Sequence, residues 1–151
     1  MQNKPLVYLA FVILVLGGGL LIGANNIPDE WYQSLAKPAF NPPGWVFAPV
    51  WSLLYAIIGV VGARTWLTRR HSMAMRLWFA QLLLNFAWSP AFFGLRDPTS
   101  AMIIILGLLG AVAAFMLASR RHDGTAVLLF VPYLAWVAFA TALNAAILIL
   151  N

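Results

Sequence analysis

The sequence predicts an all-α integral membrane protein, a bundle of five transmembrane helices with a structured first loop. Hydrophobic residues make up 63% of the 151 residues and charged residues only 9%, whereas a soluble domain carries roughly 25% charged residues. Five segments are mainly apolar over about 20 residues, the length that a helix needs to cross a bilayer. We therefore expect one membrane domain over residues 1–151, with no soluble domain attached.

The first span is predicted over residues 5–25, because Asn25 and Pro28 close its apolar run. The run is long and is followed by further spans, so we expect it to persist as a helix rather than to be a cleaved signal peptide. The connection that follows, about residues 26–40, is the longest in the chain. A short interfacial helix is expected within it, over residues 29–36.

Residues 31–51 combine aromatic side chains with prolines at the entry to the second span. Trp and Tyr concentrate where a chain passes between lipid and water, and proline is favoured at the first position of a helix. The pattern predicts a structured cap on the membrane surface. The second span is predicted over residues 42–67, with Asn41 as its N-cap and with Pro42 and Pro43 in its first turn.

The remaining spans are predicted over residues 72–95, 98–119 and 124–150. Asp97 followed by Pro98 is a strong signal for the start of a helix, because Asp caps the free N–H groups and Pro fits the first helical position. The loops between these spans are short, so sequential helices are expected to be antiparallel neighbours.

The distribution of cations predicts the orientation in the membrane. With five spans, the termini lie on opposite faces. The N-terminal face carries Lys4, Arg64, Arg69, Arg70, Arg76, Arg120 and Arg121. The other face carries only Lys37 and Arg96. Because positive charge stays inside, we expect a bacterial cell-membrane protein with a cytoplasmic N-terminus and an outward first loop.

Several classes of function are excluded or disfavoured by what the chain lacks. There is no Cys, so thiol catalysis and Cys-ligated metals are excluded, and no basic cluster is interleaved with polar sequence as nucleic-acid binding requires. No charged residue or His lies in the middle of a span, which argues against an ion-coupled transporter or a cation channel. His71 and His122 lie in loops, so no intramembrane His can ligate haem iron and no metal site is expected.

Three spans each place aromatic and polar residues on one helix face, at spacings of three or four residues. These residues are Trp51 and Tyr55 on the second span, Gln81, Asn85, Trp88 and Phe92 on the third, and Tyr133, Trp136, Ala140 and Leu143 on the fifth. If the faces converge, they form an apolar, aromatic cavity with a few neutral hydrogen-bonding groups, which is typical of a small-molecule pocket. The alternative is that these aromatic stripes only pack helix against helix.

Prolines and small residues bear on how closely the helices pack. Pro49, Pro90 and Pro132 each lie inside a predicted span, where proline kinks a helix, and kinked helices leave space between them. The small residues are Gly19 and Gly23 on the first span and Gly107, Ala111, Ala114 and Ala118 on the fourth. Small faces let helices approach closely, either within a bundle or across a dimer.

Three blocks of the sequence resemble the TspO/MBR family of tryptophan-rich sensory and translocator proteins. They are WYQSLAKPAFNPPGWVFAPVW at residues 31–51, QLLLNFAWSPAFFG at 81–94 and VPYLAWVAFATALN at 131–144. The three blocks in this order are highly specific, and the resemblance runs over nearly the full length of the chain.

The resemblance implies a five-helix membrane protein, often a homodimer, with a pocket closed by the first loop. It implies a receptor or sensor that binds porphyrins, such as protoporphyrin IX or haem, as ligands rather than as required cofactors. The positions that match the family's pocket residues are Trp51, Tyr55, Asn85, Trp88, Trp136, Ala140 and Leu143.

Two other functions stay open at this point. One is porphyrin degradation that depends on light and oxygen, with Trp51 and Trp136 as the reactive groups, since the chain offers no acid–base pair or activated nucleophile for conventional catalysis. The other is movement of porphyrin or another lipophile across the membrane, although the chain shows no inverted repeat of the kind found in many transporters.

The chain departs from the animal members of the family at two places. Those members end the fifth span with a Tyr and a downstream Arg in a proposed cholesterol motif, and residues 143–150 contain neither. Such motifs are weak evidence even when present. Ser100 stands where animal members carry a pocket Trp. High-affinity cholesterol binding is therefore unsupported by the sequence, and the change at Ser100 bears on the affinity for synthetic drug ligands.

Overall fold

A computed structural model describes residues 3–151 and confirms the all-helical membrane bundle. The helices are α1 (Lys4–Asn25), α2 (Glu30–Ser34), α3 (Phe47–Arg69), α4 (Met73–Ser89), α5 (Pro98–Ser119) and α6 (Gly124–Leu150). A 3₁₀ turn, Gly44–Val46, leads into α3, and a π-helical turn, Pro90–Gly94, continues α4. The five long helices correspond to the five predicted spans, and α2 lies in the first loop (residues 26–43).

The outer surface of the bundle is apolar. Large hydrophobic side chains on it include Leu83, 71% exposed, and Ile103, 70% exposed, and an apolar surface of this extent requires contact with lipid. Four helices, α1, α3 with its 3₁₀ turn, α5 and α6, are long and apolar enough to cross a membrane. Helix α4 has 17 residues, and the π-helical turn extends its helical path to Gly94. The chain is a multi-pass integral membrane protein.

The start of the second span differs from the prediction. Pro42 and Pro43 precede the helix instead of forming its first turn, and Pro43 has the extended backbone angles φ −56° and ψ 145°. A residue followed by proline is pushed out of the helical region, which disfavours a helical conformation at Pro42. Because α3 begins at Phe47, Pro49 falls in its first turn, where proline is tolerated. The expectation that Pro49 interrupts a span is therefore wrong.

The other two prolines lie inside helical segments, as predicted. Pro132 is within α6. Pro90 ends the α-helical part of α4 and begins the π-helical turn, which closes with a hydrogen bond of 2.8 Å from the Leu95 N–H to the Pro90 carbonyl. A π turn of this kind re-aims the side chains that follow it.

One end of the bundle, here called the basic end, carries the α3–α4 and α5–α6 loops. Arg64 donates two hydrogen bonds to the Asp123 carboxylate, at 3.1 and 2.8 Å. Arg69 donates to the Ser119 hydroxyl at 3.4 Å. These contacts join the C-terminal end of α3 to the loop before α6, so the two loops share one end as predicted. The cytoplasmic assignment of this end stays a prediction.

The opposite end, here called the loop end, gathers the first loop, the α4–α5 loop and the last residue of the chain. Arg96 donates to the Asp29 carboxylate at 2.6 Å, and Asn151 bonds to the backbone of Ala36. The first loop is therefore tied to two other segments that are distant in sequence.

Glycines let α1 and α3 approach closely. A Cβ at Gly59 would lie 2.7 Å from the Cα of Val12, a distance that side chains do not tolerate. A Cβ at Gly19 would overlap the ring of Tyr55, whereas a Cβ at Gly107 would meet Leu84 at an ordinary 3.5 Å. The small faces of α1 and α5 therefore each contact another helix of the same chain, at Gly19 and at Gly107. The homodimer implied by the resemblance stays a prediction.

Gly19→Ala is expected to lower the free energy of unfolding by about 1–3 kcal/mol, because the added methyl group must displace the Tyr55 ring from a packed position. Gly17→Ala is the matched control, since a Cβ there meets nothing within 4 Å. Unfolding of the detergent-solubilised protein by heat or SDS measures both. Equal stability of the two variants would contradict the close contact between Gly19 and Tyr55.

The hydrogen bonds from Arg64 hold the pKa of the Asp123 carboxyl below its usual range. The stabilisation from this pair is therefore present above the ordinary Asp pKa of about 3.9 and is lost as the pH falls through the lower pKa of the folded state. Asp123→Asn keeps a side chain that can cap α6 but loses the charge. We expect thermal stability to fall less steeply between pH 5 and pH 2 in this variant than in the wild type. Parallel curves would contradict the assignment.

Candidate ligand cavity beneath the first loop

A cavity of about 820 Å³ lies at the loop end of the bundle. This volume is within the range of about 300–1,000 Å³ that is typical of small-molecule sites. All five spans and the first loop contribute to its wall. The seven residues predicted for the site all line it: Trp51, Tyr55, Asn85, Trp88, Trp136, Ala140 and Leu143. The structure thus brings the predicted faces of α3, α4 and α6 together, while the binding role of these residues stays a prediction.

The aromatic part of the wall is built from rings that support one another. Trp51 stacks on Tyr55, with ring centroids 5.5 Å apart and planes 29° apart. The Trp136 ring meets Trp51 edge to face, at 6.3 Å and 87°. Offset stacking and edge-to-face contacts are the favoured geometries of aromatic pairs. The rings are therefore held in defined orientations around the space between α3 and α6.

A hydrogen-bonded network lies behind the cavity, deep between α4 and α6. The Asn85 side-chain NH₂ donates to the Tyr133 hydroxyl at 2.8 Å, and this hydroxyl donates to the Gln81 side-chain oxygen at 2.6 Å. Gln81 and Tyr133 are fully buried and are not part of the cavity wall. The expectation that both face the pocket is wrong, because an intramembrane hydroxyl is stabilised when it finds partners on a neighbouring helix.

Asn85 consequently presents one free group to the cavity. Its NH₂ is engaged with Tyr133, and its side-chain oxygen makes no hydrogen bond among the described residues, so Asn85 can accept a bond from a ligand. The indole N–H of Trp136 is buried without a partner in the described part of the chain. The cavity therefore offers few polar groups, each at a defined place.

Trp88 is fixed by a chain of hydrogen bonds to α6 and α5. Its indole N–H donates to the Asn144 side-chain oxygen at 3.1 Å, and the Asn144 NH₂ donates to the Pro98 carbonyl at 3.0 Å. One face of the Trp88 ring stacks on Phe92, at 5.1 Å and 28°. Asn144 and Phe92 line the cavity too, so the wall here is rigid rather than adaptable.

The first loop covers the cavity. Tyr32 of α2 packs edge to face on Phe93, with centroids 5.3 Å apart. The Lys37 ammonium donates to the carbonyls of Tyr32 at 2.7 Å and of Leu35 at 3.2 Å, and it lies 4.5 Å from the centre of the Tyr32 ring. Lys37 therefore closes the C-terminal end of α2, where a cation is favoured, although it also lines the cavity.

Asn151 holds the far side of the first loop. Its side-chain oxygen accepts from the Ala36 N–H at 3.0 Å, and its side-chain NH₂ donates to the Ala36 carbonyl at 2.9 Å. The same NH₂ also donates to the Ile147 carbonyl at 2.8 Å, which anchors the side chain on α6. We call this pair of bonds to Ala36 the Asn151 latch.

The sequence did not reveal several parts of the cavity wall. They are Gly19, Leu20, Gly23 and Ala24 of α1, Ile105 and Leu108 of α5, Pro28, Tyr32, Gln33 and residues 41–43 of the first loop, and Gly44 of the 3₁₀ turn. The glycine pair on α1 was a usable signal for a wall that approaches closely. Ser100 does not line the cavity. Its hydroxyl donates to the Asp97 carboxylate at 2.5 Å, in the cap of α5.

Five membrane spans around an aromatic cavity, with a folded loop as its roof, define a multi-pass membrane protein that has a ligand-sized internal site. The chain belongs to the TspO/MBR family, which matches residues 10–150. It is 40% identical to the tryptophan-rich protein TspO of Archaeoglobus fulgidus, over 100% of this chain and 99% of the relative. It is 39% identical to the tryptophan-rich sensory protein of Cereibacter sphaeroides, over 85% and 81%. It is 38% identical to the translocator protein of Homo sapiens, over 83% and 79%.

Asn151→Ala is expected to loosen the first loop, because it removes both bonds of the Asn151 latch. A hydrogen bond contributes about 0.5–1.5 kcal/mol net, so amide hydrogen exchange over residues 28–44 should become several-fold faster. Asn25→Ala is the matched control, since Asn25 is exposed and its NH₂ bonds only to Leu21 of its own helix. Unchanged exchange in Asn151→Ala would show that the latch does not hold the loop.

Proposed function

We propose that this protein is a membrane receptor or sensor that binds a porphyrin, such as protoporphyrin IX or haem, in the cavity beneath the first loop. The observation that carries the proposal is the aromatic wall of Trp51, Tyr55, Trp88 and Trp136 around about 820 Å³. The names of the relatives, tryptophan-rich sensory protein and translocator protein, support a sensory or translocating role.

A flat macrocycle fits the chemistry of this wall. Trp51 and Trp136 stand at 87° to each other, so one can stack on the ring while the other meets its edge. Each aromatic contact adds about 0.5–1.5 kcal/mol beyond the burial of area. Micromolar affinity needs about 8 kcal/mol. Several aromatic contacts together with burial of the apolar ring supply this amount.

The few polar groups in the cavity wall determine which hydrogen bonds a ligand can make there. The Asn85 side-chain oxygen accepts a hydrogen bond from the ligand, because the Asn85 NH₂ is held by Tyr133. The Tyr55 hydroxyl acts as a donor to polar substituents, whereas the Trp136 N–H is buried away from the open space. The cavity wall contains no His, so a bound haem would be held by its ring face and edges rather than through its iron.

The proposed setting is a bacterial cell membrane with the first loop outward, and the proposed assembly is a homodimer. With this orientation the cavity receives its ligand from the outer side, through the first loop. The Asn151 latch and the Asp29–Arg96 pair then hold the loop that the ligand must pass.

Titration of the detergent-purified protein with protoporphyrin IX in the dark tests the proposal. Tryptophan fluorescence quenching, corrected for inner-filter loss, should saturate at micromolar ligand in the wild type. Asn85→Ala and Trp136→Phe should each weaken binding about 5- to 30-fold, as expected for losing a polar contact or weakening an aromatic one by about 1–2 kcal/mol. Trp66→Phe is the matched control, because Trp66 lies outside the cavity wall.

Linear quenching that is equal in all variants would mean that the porphyrin only partitions into the micelle. That result would contradict binding in the cavity.

A second candidate function is degradation of the bound porphyrin in light and oxygen. The contact between the two cavity indoles of Trp51 and Trp136, at 6.3 Å, favours it, because neighbouring indoles allow tryptophan redox chemistry beside the ligand. Illumination of the saturated samples should then give a new absorbing product with the wild type and none with Trp51→Phe plus Trp136→Phe at matched porphyrin occupancy. A product that forms equally in both would exclude a role for these indoles.

A further inference from the structure

A second cavity, of about 600 Å³, lies at the basic end, on the opposite side of the bundle from the candidate ligand cavity. It surrounds the turn between α3 and α4. Its wall consists of Trp66, Leu67, Thr68, Arg69, Arg70, His71 and Ser72. We call it the turn groove. Two guanidinium groups in adjacent positions, those of Arg69 and Arg70, make its wall cationic.

The positive charge of the turn groove is only partly offset within the described part of the chain, because the Asp123 carboxylate attracts Arg69 but forms its ion pair with Arg64. At the basic end the only ion pair among residues 3–151 joins Arg64 to Asp123, and it leaves Arg69 and Arg70 without a carboxylate. Arg69 bonds only to the neutral Ser119 hydroxyl, at a long 3.4 Å. Arg70 is exposed and makes no side-chain hydrogen bond within the described residues.

The hydroxyl groups of the turn groove are already engaged by the backbone. Ser72 donates to the Arg69 carbonyl at 2.6 Å and accepts from the Met75 N–H at 3.2 Å. Thr68 donates to the Arg64 carbonyl at 2.8 Å. The side-chain donors that remain for a ligand are the two guanidinium groups and the ring N–H groups of Trp66 and His71. Of these, the guanidinium groups have planar forks that match the oxygens of a phosphate.

The turn groove lies where membrane helices end, and its surroundings continue as apolar surface. Trp66 packs against Phe11 of α1, with ring centroids 5.8 Å apart, and tryptophan is favoured at the level of lipid headgroups. The neighbouring Met73 is 59% exposed. A ligand in the turn groove would thus have its anionic group on arginine and its apolar part beside the lipid-facing surface.

We propose that the turn groove binds the headgroup of an anionic phospholipid. The guanidinium groups of Arg69 and Arg70 hold the phosphodiester, and the acyl chains lie along the exposed apolar surface near Met73. Basic pockets at the ends of transmembrane helices recognise anionic headgroups in this way. The proposal is independent of porphyrin binding, because the turn groove shares no residue with the candidate ligand cavity.

Native mass spectrometry of the full chain in detergent tests the proposal, with phosphatidylglycerol and phosphatidylcholine of the same acyl chains as probes. The wild type should retain phosphatidylglycerol at least several-fold more than phosphatidylcholine. Arg69→Gln plus Arg70→Gln should remove this preference. Arg120→Gln plus Arg121→Gln removes the same charge from the same end outside the turn groove and should preserve it.

The single variant Arg70→Gln separates loss of binding from misfolding, because the Arg70 side chain makes no hydrogen bond within the described residues and its loss should not disturb the fold. This variant should lose most of the preference for phosphatidylglycerol by itself. Three results would overturn the proposal. The first is an equal loss of lipid preference in both double variants, which would indicate diffuse attraction to the whole face. The second is equal retention of the two lipids by the wild type. The third is displacement of phosphatidylglycerol by millimolar inorganic phosphate, which would indicate a site for free phosphate.

Discussion

The hydroxyl of Tyr133, held between Gln81 and Asn85, is the interaction on which the rest of the site depends. Two helices in lipid gain little from hydrophobic association, because lipid tails are as apolar as their side chains, so packing and interhelical hydrogen bonds determine how they meet. The bonds of 2.8 and 2.6 Å through this hydroxyl tie α4 directly to α6, two helices that otherwise pack mainly against α5. On these two helices, Trp88 of α4 and Trp136, Ala140 and Leu143 of α6 face the same cavity.

The size of the side chains between the helices determines both where the helices pack closely and where the cavity forms. Where glycines let α1 lie against α3, as at Gly59, the helices exclude any space between them. At the loop end, bulky aromatic side chains lie between the helices and surround an open volume. The first loop covers this volume. Two of its attachments, Arg96 to Asp29 and Asn151 to Ala36, are polar contacts at the exposed margin, where individual bonds are weak. The packing of Tyr32 on Phe93 is an apolar attachment beside them, so the polar margin is the part of the loop that opens most easily.

Much of the fold follows from the sequence, because apolar length and helix caps are local signals. The predicted bounds 98–119 and 124–150 coincide with α5 and α6, and Asp97 and Asp123 cap these helices. The start of α3 was predicted wrongly, because proline is compatible with both a first helical turn and an extended segment. Helical periodicity identified the three faces that meet at the cavity. It could not show that Tyr133 lies behind the cavity wall, because helical periodicity gives the direction of a side chain and not its distance from the cavity. It also gave no signal for the parts of the wall that α5 and the first loop contribute.

The Asn151 latch consists of hydrogen bonds to the main chain of Ala36 and involves no side chain of the first loop. The carboxamide of Asn151 meets both the N–H and the carbonyl of Ala36, as a neighbouring β-strand would. Any residue with a backbone N–H can occupy position 36 and keep both bonds, whereas proline cannot. Substitution of Ala36 by another residue with a backbone N–H therefore leaves the latch intact, whereas loss of the carboxamide at position 151 removes it.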